Sequence, residues 1–178
     1  MTPWLHHDFS DAFPVACVMR HRLPHLWLRV HSLPDSKRYP ETEEERDVVM
    51  ARYASFGTAL LGVKAPCYIV RSQMNEDTLD SKYWGSFAWT KLPRVDESDE
   101  DYWSSWCADA IWCPEEFRVL LADVAEDRDW GVAFVSKVSN SIFAPYDGGS
   151  DGFSLDPGLL SRLKVEFQPW LSARSDGL

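Results

Sequence analysis

The sequence is short of cysteine, basic residues and long apolar runs, and each shortage excludes a class of protein. Its four cysteines, at positions 17, 67, 107 and 113, form no C-x-x-C pair, so we expect free thiols, with no disulfide framework and no bound metal. The N-terminal apolar run FPVACVM is too short for a signal-peptide core or a membrane span. We therefore expect a cytoplasmic protein without a membrane partner.

Lysine and arginine total 18 against 28 aspartate and glutamate residues, which gives a net charge of −10. A field of this sign repels phosphate backbones, so we expect no nucleic-acid partner, and it attracts a basic protein. The sequence also lacks an H-E-x-x-H helix, a G-x-x-x-x-G-K-[ST] loop and a G-x-G-x-x-G fingerprint. The sequence therefore gives no support for a zinc protease, a nucleotide-binding protein or a dinucleotide-binding protein, and we expect no cofactor.

What is present is a globular pattern, with 45% hydrophobic residues and nine tryptophans. Thr42 and Glu45 have capping-box spacing and precede apolar residues at helical spacing up to Gly62. Pro114 and Pro157 fit the first positions of two more helices, and the remaining apolar segments favour strands joined by hairpins. We predict one α+β domain over residues 1–178, a mainly antiparallel sheet with about three helices packed on one face.

An acidic run directly precedes aromatic residues in the segment VDESDEDYW. Such runs are commonly solvated loops, but carboxylates that steer a basic partner beside desolvated aromatics also have the composition of an interface hot spot. The predicted partner-binding residues here are Asp96, Glu97, Asp99, Glu100, Asp101, Tyr102 and Trp103.

A second candidate segment is SIFAPYDGGSDGF, whose DGGSDG part predicts a tight glycine-rich turn before the last helix. Tyr146, Asp147 and Asp151 either stabilise this turn or display carboxylates to a basic partner. The spacing does not match the D-x-D-x-D-G pattern of a calcium loop. We include these three residues in the predicted partner-binding set.

The segments RVHSLPDSKRYPETEEE, IFAPYDGGSDGF and FQPWLSARSDGL together resemble a group of small, uncharacterised bacterial cytosolic proteins. Members of that group have a similar LP-x-S-K-RY-P turn before the first helix and a similar PYDGG-x-D turn before a final helix that ends in W-L-S. The resemblance implies no catalytic residues. In its acidity and small size, the chain is also similar in character to the immunity proteins that accompany bacterial polymorphic and type VI secreted toxins.

The sequence is therefore compatible with two functions. The first is an immunity protein, an antitoxin that binds a cognate effector toxin of basic charge and blocks its action in the cytosol. The alternative is an enzyme with an unfamiliar carboxylate-based site around Asp147 and Asp151. An enzyme requires a concave pocket in which these groups converge, whereas an immunity protein requires only a complementary outer surface. The missing catalytic motifs favour the binding protein.

Overall fold

A single antiparallel sheet runs through the computed structural model, which describes residues 14–79, 87–96, 101–172 and 174. Its strand order is β1-β8-β7-β6-β2-β5-β3, and β4 also pairs with β5. Every described strand pair is antiparallel, which confirms the predicted fold class. The strands are β1 (Trp27–His31), β2 (Pro66–Met74), β3 (Thr90–Lys91), β4 (Val95–Asp96), β5 (Tyr102–Ile111), β6 (Val132–Ser136), β7 (Ser141–Tyr146) and β8 (Gly149–Ser154).

Three helices cover one face of the sheet, as predicted: α2 (Glu43–Leu61), α3 (Arg118–Ala125) and α4 (Pro157–Glu166). The α2 helix begins with the expected capping box, in which the Thr42 hydroxyl accepts a hydrogen bond from the Glu45 amide. It ends at Gly62, whose φ of 96° is left-handed. The α3 helix begins at Arg118 and not at Pro114, because residues 114–117 form turns.

A helix that the sequence did not predict, α1 (Ala16–Arg22), lies on the opposite face of the sheet. Its buried residues Val18 and Met19 belong to a second apolar cluster, which also contains Val70, Ile142 and Phe153 from the sheet. The central strands are therefore covered on both faces. The helix is only seven residues long, and no side chain caps its N-terminus.

The glycine-rich segment after β7 is a hairpin and not one long turn. Only Asp147 and Gly148 form the turn, and Gly148 has the expected positive φ of 91°. Residues 149–154 continue as β8, which pairs with β7 on one side and with β1 on the other. The prediction that Asp151 is displayed on the turn is therefore wrong, because this residue lies in the middle of an internal strand. Among the described residues, no helix combines the length and apolar character needed to span a bilayer.

Candidate functional site

A cavity of about 260 Å³ lies between α1 and the sheet. It exists because the strands beneath it carry small residues: Ser72 on β2, Ala133 on β6 and Ala144 on β7. Gly131 also borders it, with a φ of 70° and with the Ser72 carbonyl oxygen so close that no side chain fits at this position. The full lining is Pro14, Val15, Ala16, Cys17, Arg20, Ser72, Trp103, Trp130, Gly131, Val132, Ala133, Ala144, Pro145, Tyr146 and Asp151.

The polar end of this cavity is formed around Asp151, which is only 3% exposed. Its Oδ1 accepts hydrogen bonds from the Trp27 indole at 2.9 Å and from Arg29 Nε at 3.2 Å. Its Oδ2 lies 3.6 Å from a terminal guanidinium nitrogen of Arg20. Burial raises the pKa of Asp151 above its ordinary value, while the charge of Arg29 and the two hydrogen bonds act in the opposite direction.

Arg20 extends from α1 towards this carboxylate, and its side chain is 22% exposed. Its Nε is buried and has no hydrogen-bond partner among the described residues. A buried guanidinium donor is costly to leave unpaired, because its hydration is lost and nothing replaces it. Other atoms of Arg20 line the cavity.

Aromatic rings hold Arg29 in place beside Asp151. The guanidinium carbon of Arg29 lies 5.3 Å from the ring centroid of Trp27 and 5.0 Å from that of Tyr146. Tyr146 also lines the cavity, and burial raises the pKa of its hydroxyl well above the ordinary value. The hydroxyl therefore stays protonated near neutral pH and can donate a hydrogen bond.

The opposite end of the cavity is aromatic. Trp103 and Trp130 meet edge to face, with ring centroids 6.0 Å apart. Trp103 is 8% exposed and Trp130 is 46% exposed, so the pair runs from the interior to the surface. A buried ion pair between Arg71 and Asp129 supports this end, and the Arg71 guanidinium lies 5.5 Å from the Trp130 ring centroid.

The structure separates the predicted partner-binding residues instead of gathering them on one surface. Asp151 and Trp103 are buried and line the cavity, so neither side chain can contact a protein partner directly in this fold. Tyr146 lines the same cavity and is half-buried. Asp147 pairs with Arg38 at the adjacent turn, so it does not converge with Asp151 on one shared partner.

The acidic segment is described only in part. Asp96 lies in β4, whereas Glu97, Asp99 and Glu100 lie outside the described residues. The other two residues have partners within the chain: Asp101 accepts a hydrogen bond from Asn75, and the Tyr102 hydroxyl donates one to Asp77.

The turn that contains residues 34–37 packs against the turn that connects β7 and β8. The Ser32 amide donates to the Gly148 carbonyl at 3.0 Å, and Arg38 pairs with Asp147. Two of the three segments that carry the resemblance to bacterial cytosolic proteins are thus neighbours in space. Ser36 Oγ lies 3.2 Å from His31 Nε2, but neither residue lines the cavity under α1. These contacts fix the ends of β1 and β8, and so the position of Asp151.

Residues 148–152, GGSDG, have the G-x-S-x-G spacing of a hydrolase nucleophile elbow. An elbow places its serine at a sharp strand-to-helix turn, where the hydroxyl is exposed. Ser150 instead lies within β8 opposite Val30 and is 1% exposed. This segment therefore does not form a nucleophile elbow.

The thiols and acidic groups offer little chemistry of their own. Burial raises the pKa of Cys67 to about 12 and that of Cys107 to about 11, so both thiols stay protonated and unreactive. Cys17 is exposed at the rim of the cavity. Within the described part of the chain, no three histidine, cysteine or acidic side chains are grouped as a metal site requires.

Sequence reasoning missed Arg20, Trp130 and Ser72, which come together from α1, the segment before β6 and β2. No local motif links positions so far apart in the chain. The alternation of Leu28 and Val30 with Arg29 along β1 is a nearby signal, because it places a cation on the face of the sheet opposite the α2-covered core.

Residues 15–175 match a protein family described as Domain of unknown function (DUF3885). Neither curated proteins nor solved structures gave a match to the chain. The matched range contains all four helices and every lining residue of the cavity except Pro14.

Proposed function

The chain belongs to the family described as Domain of unknown function (DUF3885), and we propose that it binds a small organic molecule in the cavity beneath α1. A cavity of about 260 Å³ is close to the lower end of the range of small-molecule sites, about 300 to 1,000 Å³. Its walls are mostly apolar, and its few polar groups lie at one end. This combination orients a ligand while apolar contact supplies affinity.

The observation that carries the proposal is the polar end of an otherwise apolar cavity, where Arg20 of α1 and the buried Asp151 of β8 both line the wall. Among the described residues, two guanidinium groups, those of Arg20 and Arg29, face this one carboxylate. A negatively charged or acceptor group of a bound molecule would balance the second cation.

The polar groups at this end are held rigidly before any ligand arrives. Asp151 is fixed by Trp27 and Arg29, and Arg29 is held between the rings of Trp27 and Tyr146. A preformed site loses little conformational entropy on binding, which favours affinity for a small molecule.

A fragment screen observed by amide NMR tests the proposal. We expect hits to shift the resonances of Ser72, Ala133 and Ala144, and to raise the melting temperature. At a ligand concentration 100 times the Kd, the stabilisation is about 2.7 kcal/mol, or about 5 to 11 °C for a chain of this length. The proposal fails if no fragment binds, or if the shifts map to a different part of the surface.

A second candidate function, the immunity protein, is favoured by the net charge of −10. At the start of α2 the side chains of Glu41, Glu43 and Asp47 are 75% to 85% exposed, and each pairs with a lysine or arginine of the chain, so the excess of acidic residues lies elsewhere. In this function the protein is a cytoplasmic antitoxin for a basic toxin delivered by a secretion system such as type VI, and the field accelerates their encounter. Co-expression with the product of the neighbouring gene tests it. Rescue from toxicity is the expected result, and a non-toxic neighbour or persistent toxicity contradicts it.

A further inference from the structure

From the charges at the polar end of the cavity, we infer that its ligand is an organic monocarboxylate with one aromatic ring or an apolar body of similar size. The inference rests on the proposed function, because it names the chemical class that the cavity beneath α1 would take. Its evidence comes from the charge balance, the guanidinium of Arg20, and the volume and lining of the cavity.

Counted over the described residues, the polar end carries a net positive charge in a protein that is strongly acidic. Arg20 and Arg29 face one carboxylate, that of Asp151, at 3.6 Å and 3.2 Å. The cluster therefore has a charge of +1 when Asp151 is ionised and +2 when it is protonated. His21, which also acts electrostatically on Asp151, carries no negative charge and does not reverse this sign. A buried positive charge favours an anion and disfavours an amine.

The guanidinium of Arg20 favours a carboxylate as the anionic group. Arg20 lines the cavity, and one of its terminal nitrogens lies 3.6 Å from Asp151 Oδ2. The planar guanidinium presents its donors in pairs, and such a pair matches the two oxygens of a carboxylate. When Asp151 is ionised, a phosphate dianion fits less well, because its second charge exceeds the +1 of the cluster.

The rest of the cavity suits an apolar body. The floor consists of the small residues Ala133, Ala144 and Gly131, and the far end is lined by the Trp103 and Trp130 rings. An apolar cavity of about 150 Å³ is known to hold a benzene molecule. The 260 Å³ available here therefore accommodates one ring and the short arm that joins it to a carboxylate.

Four probes with the same ring and different polar groups test the inference: phenylacetate, phenylacetamide, phenethylamine and phenyl phosphate. Their dissociation constants are measured by calorimetry on the full chain. We expect phenylacetate to bind about tenfold or more tightly than each of the others, a difference of about 1.4 kcal/mol or more. Arg20→Met weakens phenylacetate binding by a similar factor and changes phenylacetamide binding by less than about threefold. A merely structural role for Arg20 would weaken both.

Arg162→Met is the matched control, because Arg162 is 68% exposed on α4 and lies outside the cavity lining. It should leave every dissociation constant unchanged, and circular dichroism confirms that both variants are folded. If the amide, amine or phosphate binds as tightly as phenylacetate, the ligand class is wrong while the proposed pocket stands. If no probe binds but an unrelated fragment occupies the cavity, the class is again wrong. If neither the probes nor any fragment binds, the proposed function fails as well.

Discussion

Replacing Ala144 with valine should stabilise the protein and abolish ligand binding at the same time. Ala144 lies on β7 at the floor of the cavity and is 3% exposed. Valine adds two carbon atoms that point into empty space, and each buried carbon contributes about 0.8 kcal/mol. Valine loses about 0.5 kcal/mol of side-chain entropy on ordering, so the expected gain in the free energy of unfolding is about 1 kcal/mol. A chain of this length should therefore melt about 2 to 4 °C higher.

The same substitution at Ala108 serves as a control. Ala108 is also 3% exposed and also lies in the sheet, but it packs in the helix-covered core and borders no described part of the cavity. Valine there overfills a packed site, which costs about 1 to 3 kcal/mol. Calorimetric melts of both variants should shift in opposite directions. If Ala144→Val lowers the melting temperature as Ala108→Val does, the space beneath α1 is filled in solution and the reasoning is refuted.

Three further predictions concern other parts of the chain. Gly148→Val should lower the free energy of unfolding by about 1 to 3 kcal/mol in a denaturant titration, because φ at this position is 91° and a Cβ would lie 3.1 Å from Arg38 Cγ. An unchanged denaturation midpoint would show that residue 148 does not have a positive φ in solution. Hydrogen bonds from Lys37, and then from the Glu41 amide, lower the pKa of Glu45, so the stability that this group contributes is present above its unfolded pKa and is lost as the pH falls through the lowered folded pKa. In melts from pH 6 to about pH 3, Glu45→Gln should therefore lose less stability than the unchanged protein, and an equally steep loss would contradict this role of Glu45. Reversal of the five acidic residues within 96–101 to lysine should slow association with a basic partner at low salt without changing the melting temperature, and an unchanged rate would remove this segment from any interface.

Local signals were sufficient to predict the part of the fold in which α2, α3 and α4 cover the sheet. The capping box at Thr42, the stop at Gly62 and the N-cap at Asp156 each depend on hydrogen bonds or backbone angles within a few residues. The Asp147–Gly148 turn was predictable for the same reason, since it requires a residue that tolerates positive φ. These elements were therefore predictable from the residues within each of them.

The β8 strand was missed because GGSDGFS is poor in the residues that favour strands. Its pairing with β1 and β7 decides its structure, and its glycines are required by close packing. A Cβ at Gly152 would lie 2.7 Å from the Phe56 ring, and one at Gly149 would lie 2.5 Å from the Val30 carbonyl oxygen. These contacts join distant parts of the chain, so no local pattern predicts them.

The cavity was unpredictable for a related reason. It depends on α1, a short helix with no side-chain cap, and on small residues from three separate strands. Alanine and serine in a strand usually indicate nothing more than weak strand propensity. Only the sheet register brings them together beneath Arg20 and beside Asp151, where their small side chains leave the cavity open.

Isotope-edited NMR of the protein with its tightest-binding fragment would locate the bound molecule. We expect intermolecular NOEs from the fragment to the methyl groups of Ala133 and Ala144, together with a shift of the Arg20 side-chain resonances as the guanidinium gains an acceptor. NOEs to any other part of the surface, or Arg20 resonances that stay in place at saturation, would contradict the proposal.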